Sequence, residues 1–458
     1  MINCTLEEIE KMSGGDSLDD KYRDIVISGV SIDSRSIKDE NLFIPLIGEN
    51  FNGHNFIETI LDKGVRAALW NRDEPLPDED IPLILVDDTT EALQTLASSY
   101  LKRTGPKVVA ITGTNGKTST KDIVASLLKT KYKTHKTKGN FNNGIGLPLT
   151  IMGMENDTEM IVLEMGMDAF GQIELLTKIA PPDAAAITNI GAAHLEGLIT
   201  RENIARAKLE ILKGLKDDSL FIYYGDDDML KAEVESIKSN NKIKTFGISD
   251  CNDYQPEIIS MDETGSLFRL KTPKTDELFL PMLGAHQVLN ATAAIAIAEY
   301  FGITSQNIKK GLLNIEKTGM RNELVKCDRF TILDDSYKSN PESVRAALET
   351  LYTIKGYSQK IAVLGDMLGL GDGEIDMHRE IGSEIIEENI DLLFTIGEFG
   401  KHIYEAAKSN LSSGNIFHFD DKDELAKKIK EKSQDNALIL VKASRSLAME
   451  EVVDKLKN

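Results

Sequence analysis

Gly116-Lys117-Thr118 is the point in this chain where residue type and spacing most plainly suggest chemistry. The three residues close the stretch KVVAITGTNGKTSTK, residues 107 to 121, which reads as a short apolar strand, a glycine-containing turn and the start of a helix. That order makes a phosphate-binding loop. Gly113, Thr114, Asn115 and Gly116 curl their backbone amides around a polyphosphate, the helix N-terminus at Lys117, Thr118 and Ser119 adds its positive end, the Lys117 ammonium reaches the outer phosphates, and the Thr118 hydroxyl can ligate Mg²⁺. The strict GxxxxGK[ST] signature is bent, because Ile111 stands where its first glycine belongs. A tight strand-to-helix turn with a surface lysine would carry the same letters.

Other residues could serve such a loop. Glu164 ends the apolar run MIVLE, and ligands of open α/β sheets bind at the carboxyl ends of strands, so its carboxylate is placed to hold Mg²⁺; it could equally cap a loop. His194, in TNIGAAHLEG, also follows a strand, but imidazole is a less usual Mg²⁺ ligand than oxygen, and alone it reads more often as a hydrogen-bonded structural histidine. Lys208 shares the apolar stripe of Ile204, Ile211, Leu212 and Leu215 in RENIARAKLEILKGL. Periodicity favours a lysine that snorkels to the rim; the sharper reading is a buried amine that reacts with CO₂ to give a carbamate, an anionic ligand for Mg²⁺. Arg321, Asp335 and Asn340 flank the first strand of a later unit, where a guanidinium suits phosphate and a carboxylate suits ribose. Lys442, Ser444 and Arg445 follow its last strand.

The elements that must hold these residues form an α/β chain of three domains. A length of 458 residues exceeds one ordinary core. Residues 1–87 read as a small α/β domain, with strands at 25–32, 42–47, 67–70 and 83–86. Residues 88–316 alternate strands and helices around the loop, a central P-loop, mononucleotide-binding domain with a parallel sheet; the strands at 220–224, 242–246, 266–270 and 278–281 are expected to form an antiparallel elaboration. Residues 317–458 restart the alternation as a C-terminal Rossmann-like domain. Lys and Arg number 53 against 74 Asp and Glu, a net charge of −21 spread along the chain, which disfavours nucleic acid and anionic membranes as partners. Three distant cysteines, no basic-then-apolar leader and no long apolar run point to a cytoplasmic protein without membrane insertion.

Taken in order, DSR at 33–35, TGTNGKTS at 112–119, GNFNNGIGLPLT at 139–150, LEMGM at 163–167, TNIGAAHLE at 188–196, AKLEI at 207–211, GAHQVLNATAA at 284–294, TGMRNE at 318–323, DDSYKSNPES at 334–343, LGDML at 364–368 and VKASRS at 441–446 make a chain that resembles the Mur ligases over essentially its full length. These are ATP-dependent amide-forming enzymes of peptidoglycan precursor synthesis. The resemblance implies a ligase that joins D-alanyl-D-alanine to UDP-N-acetylmuramoyl tripeptide through an acyl phosphate. It assigns ATP and two Mg²⁺ ions as cofactors, with Thr118 and Glu164 on one ion and His194 and the Lys208 carbamate on the other. Asn290, Arg321 and Asp335 would touch ATP, with Lys117, Lys208, His194 and Arg321 in the catalytic machinery. Ser34, Arg35, Asn142 and Asn143 would meet the UDP-sugar peptide, and Ser336, Tyr337 and Asn340 the dipeptide or nucleotide. A monomer is expected.

The chain departs from the family pattern in places. Gln287 stands where Asn is frequent, Lys338-Ser339 where Asn-Ala is commoner, and Gly369 where Glu is usual; the metal and phosphate residues are untouched. Two other readings share the loop. A sibling ligase, or one resembling folylpolyglutamate synthase, would take a single amino acid, and a P-loop switch would hydrolyse ATP without forming a bond.

Overall fold

Apolar strands buried on both faces need helices on both sides, and three such arrangements follow one another in the computed structural model, which describes residues 1–193 and 195–457. The central one holds six parallel strands in the order Thr134–Lys136, Met160–Glu164, Lys107–Thr112, Ala184–Ile187, Leu220–Tyr224 and Lys242–Phe246. Lys107–Thr112 lies inside the sheet with later strands added on either side of it, and its carboxyl end opens into the crevice where such sheets bind ligands. Helix Lys117–Leu128, buried along nearly its whole length, packs against the alanine-rich helix Ala285–Tyr300.

Before it, Val30–Ser31, Leu42–Phe43, Ala67–Asn71 and Leu83–Val86 form a small parallel sheet. After it, Phe330–Asp334, Ala437–Lys442, Gln359–Gly365, Leu392–Ile396 and Ile416–Phe419 run parallel in that spatial order, with antiparallel Glu323–Lys326 on the edge. The chain is thus α/β in three units. The first two share apolar packing: one core runs from Ile2 and Leu42 through Leu93 and Tyr100 of helix Thr89–Thr104 to Leu163 and Ile204. The C-terminal sheet has a core on each face, one of which takes in Ala192 and Leu283 of the central unit.

The expected antiparallel elaboration is smaller than the sequence suggests. Leu220–Tyr224 and Lys242–Phe246 belong to the central parallel sheet, joined by the crossover helix Asp228–Glu235, and only Gln255–Asp262, Gly265–Thr272 and Leu278–Leu280 form the antiparallel insert. KIKTF misleads because it lies on the sheet edge, where alternate residues face solvent as they do in an antiparallel strand. The expected 25–32 strand breaks at Gly29: Val26–Ser28 pairs with Asn3–Thr5, while Val30–Ser31 joins the parallel sheet.

Trp70 anchors a satellite core with Ile37, Phe43, Ile60 and Ile81; its indole donates to the Pro75 carbonyl at 3.2 Å and meets the edge of His54 at 4.5 Å. Trp70→Ala is expected to lower the stability of the chain by about 3–5 kcal/mol, read by denaturant unfolding, through a cavity that this small unit cannot collapse to fill.

Candidate active site

The phosphate loop owes its shape to two glycines. Gly113 has φ +148°, and a Cβ there would stand 1.8 Å from the Thr188 hydroxyl; Gly116 has φ +80°, and its Cβ would meet the Asn290 side chain at 2.4 Å. Neither position accepts a side chain without displacing the wall behind it. That wall grips the loop closely. The Asn115 carbonyl accepts from Thr188 Oγ1 at 2.5 Å and Asn189 Nδ2 at 3.0 Å, the Asn115 amide donates to Asn189 Oδ1 at 2.9 Å, and the Gly191 amide donates to Thr114 Oγ1 at 2.9 Å.

Behind the loop, Thr118 donates its hydroxyl to Glu164 Oε2 at 2.8 Å, and Asn142 donates its amide to Glu164 Oε1 at 2.9 Å. A buried hydroxyl and carboxylate are hard oxygen donors, the set that suits a Mg²⁺ ion completed by water and phosphate oxygens. Lys117 turns back over its own loop and donates to the carbonyls of Gly113 at 2.7 Å and Thr114 at 2.9 Å. Burial, with Lys338 and Arg321 nearby, pushes its ammonium down to about 8 against the field of Glu164.

Lys208 does not snorkel. Only 3% exposed, it sends Nζ across the sheet edge to the Gly113 carbonyl at 3.1 Å. Burial above all, then the like charges of Lys117 and Lys338, hold it well below the usual lysine range, which favours the uncharged, nucleophilic amine. The helix places it there because the turn tightens at Glu210–Lys213 while Ile204 and Ile211 are pinned in the core. His194 lies outside the described residues.

The C-terminal unit closes the other side. Arg321 lies over the Tyr337 ring at 4.0 Å, with one guanidinium nitrogen buried and without a hydrogen-bond partner. Lys442, 2% exposed, donates to Asp335 Oδ2 at 2.5 Å. Asn115 and Asn340 exchange side-chain amide bonds at 3.0 and 2.9 Å, which ties the phosphate loop to the N-cap of helix Pro341–Thr353; Glu342 adds a bond from the Ala192 amide at 3.0 Å.

A cavity of about 860 Å³ gathers Thr114 to Ser119, Asn142, Asn143, Glu164, Lys208, Asn290, Arg321, Asp335 and Tyr337. Three expected residues sit beside it: Gly113 presents its carbonyl to Lys117 and Lys208, Asn340 is engaged by Asn115, and Ser336 is buried against Asp334. Ser34 and Arg35 lie outside it on the N-terminal unit, where Arg35 forms an exposed pair with Asp33 at 3.0 Å.

Sequence reasoning passed over His286 and Asn322, which also line the cavity and meet each other at 2.9 Å. The signal available was the position of His286 at the start of the helix that carries Asn290. Burial pushes the His286 imidazole down to about 4, against the raising effect of Asp335. Below the ordinary histidine pKa near 6.5 the unfolded chain takes up a proton that the folded chain refuses until about pH 4. This contribution to stability is therefore present above pH 6.5 and lost as the pH falls toward 4. The Tm of the parent chain is expected to fall more steeply over that window than the Tm of a His286→Asn variant.

Three family models cover the chain in order: the Mur ligase catalytic domain at residues 26–101, the Mur ligase middle domain at 111–298 and the Mur ligase glutamate ligase domain at 320–445. The UDP-N-acetylmuramoyl-tripeptide--D-alanyl-D-alanine ligase of Bacillus subtilis is 45% identical over 457 residues, covering 100% of this chain and 99% of the relative. Its Escherichia coli counterpart is 34% identical, with 100% and 99% covered. A crystal structure of MurF from Acinetobacter baumannii superposes with a TM-score of 0.90 at 29% identity, covering 100% of this chain and 99% of the other. MurF ligase from Thermotoga maritima, in complex with ADP, gives 0.82 at 29% identity with 94% and 97% covered. By its motifs, its three-unit fold and full-length likeness to these proteins, the chain belongs to the Mur ligase family.

Proposed function

We propose that this chain joins D-alanyl-D-alanine to UDP-N-acetylmuramoyl tripeptide as ATP is converted to ADP and phosphate, acting as a cytoplasmic monomer. The observation that carries the reading is the meeting of phosphate loop, Thr118–Glu164 pair and buried Lys208 with Arg321 and Asp335 of another unit around one cavity. The full-length relatives that bear this activity in their names support it.

The chemistry follows from charge and position. The carboxylate at the end of the tripeptide attacks the γ-phosphorus of ATP, the bond to the ADP oxygen breaks, and an acyl phosphate forms. The dipeptide amine then attacks the acyl carbon, phosphate leaves, and the amine proton passes to solvent. Positioning and charge neutralisation dominate such phosphoryl transfers, so little covalent work falls to the protein. In this scheme the loop amides and Lys117 hold the β- and γ-phosphates, and Arg321 turns its unpartnered nitrogen toward developing charge. Asn290 and Asp335 receive the nucleoside. Asn142 and Asn143 position the peptide, Ser34 and Arg35 the UDP end, and Ser336 and Tyr337 lie by the incoming dipeptide. Mg²⁺ on Thr118 and Glu164, with a second ion held by His194 and the Lys208 carbamate, would offset phosphate charge when bound. No helix among the described residues is long and apolar enough to cross a membrane.

The test is phosphate release with ATP and the UDP-linked tripeptide, with and without D-alanyl-D-alanine. Release is expected to depend on the dipeptide. Equal release in its absence, or release driven instead by a single free amino acid, would falsify the assignment.

A further inference from the structure

The loop from Asp335 to Asn340 leaves the strand Phe330–Asp334 and faces the phosphate loop from the C-terminal unit. Two anchors fix it. At one end buried Lys442 holds the Asp335 carboxylate and also donates to the Lys338 carbonyl at 3.0 Å. At the other end Asn340, 2% exposed, is bound to Asn115 on the phosphate loop. Lys338 stands between the anchors, and it lines the cavity with Lys117, Thr118, Glu164 and Lys208.

That end of the cavity is rich in cations although the chain as a whole is strongly acidic, at −21. The like charge of Lys338 helps depress both Lys117 and Lys208, and the fields of Asp168 and Glu164 reach Lys338 in turn. Lys117 from the phosphate loop and Lys338 from the C-terminal unit thus bring two cationic side chains to one cavity, which favours an anion there. His286, Asn322 and Asp335 form a group of their own in the cavity wall, Asn322 meeting His286 at 2.9 Å and donating its amide to Asp335 at 3.2 Å, while Thr118 meets Glu164 behind the loop. Because the lysine of a phosphate loop reaches the outer phosphates, an anion shared by Lys117 and Lys338 is the outermost phosphate of a nucleotide on the loop.

We infer that Lys338 donates to the oxygens of the terminal phosphoryl group of a nucleoside triphosphate, so that one lysine from each unit brackets the group being transferred. Lys117 approaches from the loop beneath and Lys338 from the unit that closes over it, the same logic as a cation supplied in trans to a phosphoryl transfer. The ligase reading supplies only the acceptor of that phosphoryl group; the contact itself does not depend on the acceptor.

Calorimetric titration in Mg²⁺ tests the contact with two probes, ADP and β,γ-methylene-ATP. For Lys338→Met the triphosphate analogue is expected to bind about 10-fold to 100-fold more weakly than to the parent, the range for a charge-assisted hydrogen bond. ADP binding should stay within twofold, and Lys338→Arg should restore most of the difference. Equal affinities for the analogue in parent and Lys338→Met, or an equal loss for both nucleotides, would overturn the inference. Both outcomes are independent of the dipeptide requirement, which is measured separately by phosphate release.

Discussion

Lys208→Ala is expected to lower dipeptide-dependent phosphate release by about 10³-fold, comparable with the loss of a main electrostatic element of an active site. The amine of Lys208 is buried, held well below the usual lysine range by that burial and 3.1 Å from the Gly113 carbonyl, so the unmodified side chain offers no anion to a metal. Reaction with CO₂ changes that: the nitrogen lone pair attacks carbon, a proton is lost to solvent, and the ammonium-forming group becomes a carboxylate. If that is its working form, formate or acetate added at high concentration should partly restore the alanine variant, because each can place a carboxylate in the vacated space. Lys208→Arg should not recover, since a guanidinium keeps the wrong charge. An alanine variant within tenfold of the parent rejects the carbamate.

A second large effect is expected at Lys117. Lys117→Met should lower kcat/KM by about 10²–10³-fold, since the loop loses the ammonium that meets the outer phosphates. The same change should leave the unliganded protein as stable as the parent or more so. Lys117 is held beside Lys338 and Arg321, its ammonium pushed down to about 8, and methionine keeps much of its apolar length without the charge. Thermal unfolding of the unliganded chain and initial rates, measured together, check the pair of expectations. A loss of both activity and Tm would mean that Lys117 supports the loop rather than the ligand.

Much of this site is legible in the residue order, for physical reasons. A phosphate loop is built from local backbone demands, so TGTNGKTS announces a strand, a glycine turn and a helix N-terminus without help from distant chain. Glu164 is legible likewise, because it ends a strand fully buried on both faces. Lys208 is half legible: periodicity puts it on the apolar stripe, yet whether it reaches the rim or stays buried depends on the Gly113 carbonyl 95 positions away in the chain. The Asn115–Asn340 exchange spans 225 positions and leaves no local trace. Edge strands are the weak point of the fold reading, as Lys242–Phe246 shows, since an edge hides which of two sheet types it borders.

The exchange between Asn115 and Asn340 joins two units with little apolar surface in common, the C-terminal core taking in Ala192 and Leu283 from the central one. One wall of the nucleotide cavity therefore has the thermodynamics of a docked surface, and its integrity follows the less stable partner. Warming or mild denaturant that frees the C-terminal body would remove nucleotide affinity while the phosphate loop still stood intact on its own sheet, so inactivation would precede global unfolding.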